Sequence, residues 1–385
     1  MIYSIPYVIL VLIYGLLADY YRRLDDVGKL RVNMACVVIF LLFFGFRGFV
    51  GQDWSNYYPV FSQLSSANIG DFFYSFDETS FEPGFVLLLL CCKSIFDSYH
   101  FMVFIVVLIN VFLLFRFLLK NVSNIPLALI VFLCMGGLIM ELNLLRNSIS
   151  ILIFLNTLKY IKERKPLPFF IWNLLGMTFH VSSILYLPLY FFFHKRCPKW
   201  LFLTLLILGN VVFLSGIKFV TPILIAIANN LGEVYVELVE AYTEGKYSDM
   251  QLTISIGYLE RVLSGLLILC YYDKLIELRK DNVMYINAFL IYYVMFFVFA
   301  EFAVIGGRLA NLFIFCYWIL WIDILKCISL KSNRFLYVSY LVIYCLLKVI
   351  GTATDETFYY DNLLTGNKSF EERIYIYTKI VDNEK

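Results

Sequence analysis

FFGFRGFVGQDWSNYYPVF, residues 43–61, is the stretch on which the reading of the fold turns. Apolar sequence from Phe40 to Phe46 gives way to Arg47, Gln52, Asp53, Ser55 and Asn56. The first part suits lipid, whereas the second wants water, a counter-charge or a sugar, so a membrane border falls here. A charge that close to a span is costly unless it is partnered. An arginine that snorkels beside Trp54, Tyr57 and Tyr58 ends many spans with no further role. Spacing alone leaves both readings open.

Outward from this border the composition settles the class. With 61% hydrophobic, 19% aromatic and 16% charged residues among 385, there is too little polar surface to coat a soluble globule. The chain reads as an integral membrane protein. Its net charge of +2 hides local segregation and argues against a nucleic-acid partner. The cysteines, Cys36, Cys91, Cys92, Cys134, Cys197, Cys270, Cys316, Cys327 and Cys345, lie mostly in apolar runs without metal-ligand spacing and read as small buried hydrophobes. Ile2 to Leu17 lacks a preceding basic region and a following small-residue cleavage site, and reads as a first span.

A spanning helix needs about 20 mainly apolar residues. Candidates fall near 2–20, 32–48, 83–97, 100–119, 125–142, 146–161, 167–193, 199–217, 254–272, 283–304, 308–327 and 334–350. The runs are continuous, without the alternation of a barrel, so the expected fold is all-α: a polytopic transmembrane helical bundle of about 11 to 14 segments, some short or re-entrant. One transmembrane domain over 1–350 is expected, with outward loops 49–82 and 218–253 and a C-terminal tail at 351–385. The tail reads as a short capping helix or as partly disordered. Residues 218–250 interleave Leu224, Ile225, Leu231, Val234, Leu238 and Val239 with Asn229, Asn230, Glu233, Glu237 and Glu240, the pattern of an amphipathic helix lying on the bundle.

Lys and Arg collect at Arg22, Arg23, Lys29 and Arg31; at Lys162, Arg164 and Lys165; at Lys195, Arg196 and Lys199; at Lys274, Arg279 and Lys280; and at Lys326, Lys331 and Arg334. These connections should be cytoplasmic. The loop 49–82 carries Asp53, Asp71, Asp77, Glu78 and Glu82 with no Lys or Arg, and should face outward. For both ends of 166–194 to be cytoplasmic, that segment must be a helical hairpin with His180 at its outer turn; one long helix is the alternative. The segment count leaves one crossing too many or too few between Glu82 and Lys162.

Few ionisable residues lie near the outward level: Arg47 and Asp53, Glu82 before Pro83, Glu141 with Arg146, His180, and Glu301 with Arg308. Each alone fits a structural ion pair. Together, Arg47, Arg146 and Arg308 make a donor set suited to a diphosphate, since guanidinium meets phosphate oxygens in a fork. Asp53 and His180 are the candidate bases. Tyr57 and Trp54 could stack on sugar, though an interfacial belt fits them too; Glu82, Glu141 and Glu301 are supporting candidates. Gly45, Gly48 and Gly51 mark a helix end rather than a phosphate loop, and no P-loop or Cys/His metal cluster appears.

Four blocks resemble Wzy-type polysaccharide polymerases of the EpsG-like family: FRGFVGQDWSNYYPVF at 46–61, FEPGF at 81–85, LNLLRNSISILIFL at 142–155 and KERKPLPFFIWNLLGMTFHVSSILYLPLYFF at 162–192. A weaker fifth is GGRLANLFIF at 306–315. Two positions depart: Asn147 stands where Gln is expected after the arginine, and Trp54 follows Asp53 where a small or hydroxylated residue is common. The resemblance implies a GT-C-like, inverting, metal-independent membrane glycosyltransferase without cofactor. It would polymerise O-antigen or exopolysaccharide repeat units carried on undecaprenyl diphosphate, at the periplasmic or exterior face of the bacterial cytoplasmic (inner) membrane, releasing undecaprenyl diphosphate. Undecaprenyl-diphosphate-linked oligosaccharides, the lipid bilayer, a chain-length regulator and a flippase are the implied partners.

Other classes stay open at this point. A flippase or secondary transporter of lipid-linked oligosaccharide would show two related halves and midplane charges, whereas this chain has no visible repeat and keeps its polar residues near one interface. An O-antigen-ligase-like transferase has nearly the same chemistry. For an acyltransferase, His100 and His194 offer no constellation.

Overall fold

The computed structural model describes residues 2–64, 79, 81–216, 220–232 and 254–383. Among them every regular element is helical. Five helices are long and apolar enough to cross a bilayer: Ile2–Tyr21, Asp26–Gly45, Tyr99–Asn121, Ile125–Leu142 and Lys331–Thr352. Two bent pairs, Lys199–Ser215 with Val220–Asn230 and Ile305–Asn311 with Cys316–Cys327, bring the number of such spans to as many as 7. Pro83–Ile95, Pro166–Met177, Val181–Phe192 and Asn282–Val298 are shorter apolar helices. The chain is thus a polytopic helical membrane protein, with fewer full-length spans than apolar runs. Asp71, Asp77 and Glu78 of the first acidic loop, and most of the amphipathic stretch read at 218–250, lie outside the described residues.

The described chain divides into two compact units, Met1–Phe192 with Leu336–Lys385, and Phe193–Phe335. In the first, α1 (Ile5–Tyr21), α2 (Asp26–Phe40), α3 (Trp54–Gln63), α4 (Pro83–Ile95), α5 (Tyr99–Asn121), α6 (Ile125–Phe132), α7 (Leu138–Leu142), α8 (Leu145–Lys162) and α9 (Pro166–Met177) follow in order. Local signals set their limits. Asp25 and Asn124 cap α2 and α6 through their side chains, and Pro83, Pro126 and Pro166 stand in first turns, where no N–H partner is lost. Between α6 and α7 the helix opens into a π turn, kinked at Gly136.

Hydrogen bonds show which helix ends share a level. Tyr7 at the start of α1 donates to Phe358 O (2.9 Å), and Tyr360 stacks on Phe43 just beyond α2. At the other end, Asn124 donates to Ala18 O (3.0 Å), and Asn156 of α8 to Leu113 O of α5 (2.9 Å). That second end carries Arg22, Arg23, Lys120, Lys162, Arg164 and Lys165 at the turns. Acidic and aromatic loop residues gather at the first.

Two questions left by the sequence are answered by this geometry. Helix α4 has 13 residues, about 20 Å at 1.5 Å per residue and short of a hydrocarbon core of about 30 Å. Its start, Glu82, meets Arg146, while Tyr99 and His100, just past its end, pack on Phe49 (5.5 and 4.8 Å). Both ends therefore stay on one level, and the crossing count closes. Residues 166–192 form the hairpin: Tyr190 returns beside Phe169 and Phe170 (5.2 and 5.5 Å), and its carbonyl accepts from Arg164 (3.3 Å). The tip is at His180.

In the second unit, α10 (Lys199–Ser215), α11 (Val220–Leu231), α12 (Ile256–Cys270), α13 (Asn282–Val298), α14 (Ala303–Asn311) and α15 (Cys316–Cys327) surround an aromatic core including Trp318 and Trp321. Trp321 donates to Ser264 (3.0 Å), and Tyr258 to Asn210 (2.7 Å). Asp323, nearly buried, is neutralised by Arg279 (2.9 Å) and Lys326 (3.0 Å). Helix α16 (Lys331–Thr352) leads to the tail, which ends in α17 (Phe370–Asn383). Of the two readings of the tail, the helix is the one that forms.

Candidate active site

The helix begun at Asp26 ends in a π turn at Leu41–Gly45, and Arg47 reaches back to donate to the Phe44 carbonyl (2.7 Å). A cation at a helix C-terminus satisfies such a carbonyl and the local dipole together. Arg47 is only 2% exposed. Burial lowers its pKa, an effect countered by the nearby Tyr99 and Glu141. The structure thus sets this guanidinium in the wall rather than in an open cleft.

After Arg47 the chain pairs with the tail. Gly48 N donates to Asp361 O (3.1 Å), Leu363 N to Phe46 O (2.8 Å) and Gly51 N to Thr357 O (2.9 Å), and Arg47 forms an antiparallel bridge with Asn362. Gly48 lies so close to the tail that a Cβ there would fall on the Asp361 carboxylate. Gly51 has φ +90, a left-handed conformation that favours glycine, and the turn it makes aims Gln52 N at Asn143 Oδ1 (2.9 Å). From the tail, Arg373 Nε donates to Phe49 O (2.7 Å) and its Nη2 to Thr357 O (3.1 Å). Trp54 is 3% exposed, donates to Gly51 O (2.8 Å) and meets Phe370 edge-on at 5.8 Å. Its face belongs to the wall.

Asp53 stands at the N-terminus of α3, half-buried, with Tyr57 one turn further along the same face. Burial raises the Tyr57 pKa, and the charge of Asp53 raises it further. The Tyr57 hydroxyl accepts from Arg146 Nε at 3.4 Å. Arg146 Nη1 is paired with Glu82, and the guanidinium lies over the Phe81 ring at 4.5 Å. Glu82 also accepts from Val181 N (3.0 Å), capping the short turn that starts the return limb of the hairpin, while Gly84 N donates to Thr178 O (2.8 Å). FEPGF, LNLLRNSIS and the hairpin tip, far apart in sequence, are thereby brought together with α3.

His180 is half-buried at that tip. Its Nδ1 accepts from Ser182 N (3.2 Å) and lies 2.7 Å from Ser182 Oγ, which donates to Asn147 Oδ1 (3.2 Å). Ser182 thus engages the Nδ1 side of the ring through both its backbone and its side chain. Arg146 and Glu82 keep side-chain exposures of 21% and 17%. They form a partly open cation–carboxylate pair, which the fully buried Glu141 is not. Both Glu141 oxygens accept from Asn110 (3.3 and 3.2 Å), which also donates to Ser148 (2.9 Å), a bond between α5 and the start of α8.

Arg308 and Glu301 belong to the second unit. Arg308 is exposed in the last turn of α14. Glu301 accepts from Val220 N (2.7 Å), Thr221 N (3.0 Å) and Thr221 Oγ1 (2.6 Å), which makes it the N-terminal cap of α11. Sequence reasoning missed Asn143, Ser182 and the tail residues Thr357, Asp361, Asn362 and Arg373. The one local hint in the tail was an arginine, Arg373, among alternating apolar and polar positions.

Chemically, the cluster offers a guanidinium fork, an imidazole N–H, a carboxylate at a helix start and a buried phenol. That set can hold an anionic leaving group and accept a proton. Neither a search of curated proteins nor one of solved structures finds a match. A family model described as the EpsG family matches residues 31–364, which takes in the site loop, the Glu82–Arg146 pair, the hairpin and the tail as far as Leu364. The chain belongs to the EpsG family.

Proposed function

We propose that this protein is a polysaccharide polymerase, a membrane-embedded glycosyltransferase that joins oligosaccharide repeat units carried on undecaprenyl diphosphate. The observation that carries the reading is the partly open Arg146–Glu82 pair, assembled with Asp53, Tyr57 and His180 at one end of an apolar bundle in a chain of the EpsG family. In the reaction, the terminal hydroxyl oxygen of one lipid-linked unit attacks the anomeric carbon of the growing chain. The bond from that carbon to the diphosphate oxygen breaks with inversion, the diphosphate leaves with the electron pair, and the hydroxyl proton goes to a base.

Arg146 would neutralise the diphosphate as its charge grows. A guanidinium has five N–H donors, and the contacts to Glu82 and Tyr57 engage two of them. Asp53 is the better base of the two candidates, because the Nδ1 of His180 is engaged by Ser182. His180 then positions Ser182 and Asn147 beside Arg146. Arg47 acts through the wall it caps. The basic turns at the opposite end support an outward-facing site at the cytoplasmic membrane, with a flippase supplying the lipid-linked unit and a chain-length regulator as neighbour.

The test is deletion in the source cell followed by complementation. Loss of long chains with accumulation of a single repeat unit on the exported glycan is expected, and Arg146→Ala should reproduce it with normal protein in the membrane. Loss of all exported glycan would identify a flippase instead. Normal chain lengths with Arg146→Ala would remove the diphosphate role.

A further inference from the structure

Beside the candidate site lies a groove that the chemistry above does not use. A cavity of about 540 Å³ opens between α5, α8 and α9, lined among others by Phe112, Ile149, Ile153, Tyr160, Trp172 and Phe179. That volume is in the range of small-ligand sites, about 300–1,000 Å³. Its walls are apolar and aromatic, and they stay open to the outside of the unit: Phe112 is 62% and Trp172 45% exposed.

The groove is continuous with the site at its upper end. Phe179 is the residue before His180, and Ile149 is one turn beyond Arg146 on α8. Residues 146, 149, 153, 157 and 160 recur at intervals of three or four, so the groove-lining stripe of α8 runs down the same face that carries Arg146. From Ile149 to Tyr160 this stripe covers about 16 Å of helix, roughly half of a hydrocarbon core. An anion held at Arg146 would have its tail directed into the groove. Rigid aromatic faces suit a methyl-branched, unsaturated chain, which presents flat segments and bends.

We propose that this groove binds the isoprenoid chain of the lipid-diphosphate substrate. The proposal rests on the reading of the chain as a polymerase of such lipids. It divides the work in two: Arg146 recognises the diphosphate, and the groove fixes the direction from which the lipid enters. The groove thereby sets a requirement for chain length that the sugar does not.

The full chain in nanodiscs of phosphatidylethanolamine and phosphatidylglycerol, given undecaprenyl diphosphate carrying a diazirine on its isoprenoid chain, provides the test. Crosslinks mapped by mass spectrometry are expected on 108–116, 149–160 and 172–179, and excess unlabelled undecaprenyl diphosphate should cut them about tenfold. Leu175→Trp fills the groove from a half-exposed position and should remove the label and raise KM for the lipid-linked unit while kcat stays. Leu16→Trp, on an exposed apolar face elsewhere, should do neither. Groove labelling that resists competition identifies ordinary bilayer lipid and overturns the proposal. Competed labelling elsewhere overturns it while leaving the polymerase reading intact. Polymer formation is measured in the same preparation, and its absence together with absence of any competed label would overturn both.

Discussion

Arg373 gives the sharpest test of how the site is built. It is 2% exposed, and its two described bonds run to the carbonyls of Phe49 (2.7 Å) and Thr357 (3.1 Å), so one side chain ties the border loop to the tail. A hydrogen bond from a charged donor contributes about 1.5–3 kcal/mol. Arg373→Ala removes two, and the relief of a buried guanidinium, whose pKa burial lowers, offsets part of the loss. A net cost of about 3 kcal/mol corresponds to roughly a hundredfold shift from the tied to the released loop. Gly48 N and Gly51 N report on that equilibrium, because their acceptors, Asp361 O and Thr357 O, are on the tail. Hydrogen exchange at these two amides should accelerate by about a hundredfold, with polymer yield falling in parallel. Arg373→Lys, with a single donor head, should fall between. Unchanged exchange at Gly48 and Gly51 in Arg373→Ala would refute the clamp.

Gly51→Ala forces φ +90 on a residue with a Cβ, which would also overlap the Asn143 amide; the strain alone is about 1–2 kcal/mol. Polymer should drop, and Asn143→Ala in the same chain should recover part of it, whereas no recovery would mean the overlap is irrelevant. Glu82→Gln removes the charge facing Arg146 and weakens the cap on Val181 N, a loss of about 2 kcal/mol. A lower melting temperature in detergent and faster exchange at 178–183 are expected, and an unchanged melting temperature would show the pair to be energetically neutral. In a background lacking the exposed Cys270, cysteines placed at Lys165 and Val181 should react with impermeant reagent from opposite membrane faces. Labelling from one face would exclude the hairpin.

The helical class and the hairpin were legible because apolar periodicity and basic turns are local properties. The breaks were not: α4 looks like a span in composition, and only its length and the contacts at both ends show that it stays on one level. Arg146, Glu82 and His180 stood out as ionisable groups in greasy surroundings, and the structure brings them together. For Arg47 and Trp54 the sequence offered types but not burial. Their exposures of 2% and 3% follow from a tail that packs on them. Nothing in the alternation of 355–373 says which loop those residues will cover, since pairing across more than 300 positions leaves no periodic trace.

The pairing of the border loop with the tail also has a meaning in time. Phe49 and Arg373 are 324 positions apart, so the loop leaves the ribosome long before its partner is made, a wait of roughly 16 to 65 s at about 5–20 residues per second. Throughout that interval the helices around Arg146 can insert while the wall behind Asp53 lacks its backing. A nascent chain can therefore be a membrane protein before its border loop is tied, and synthesis of the segment around Arg373 is what completes that wall.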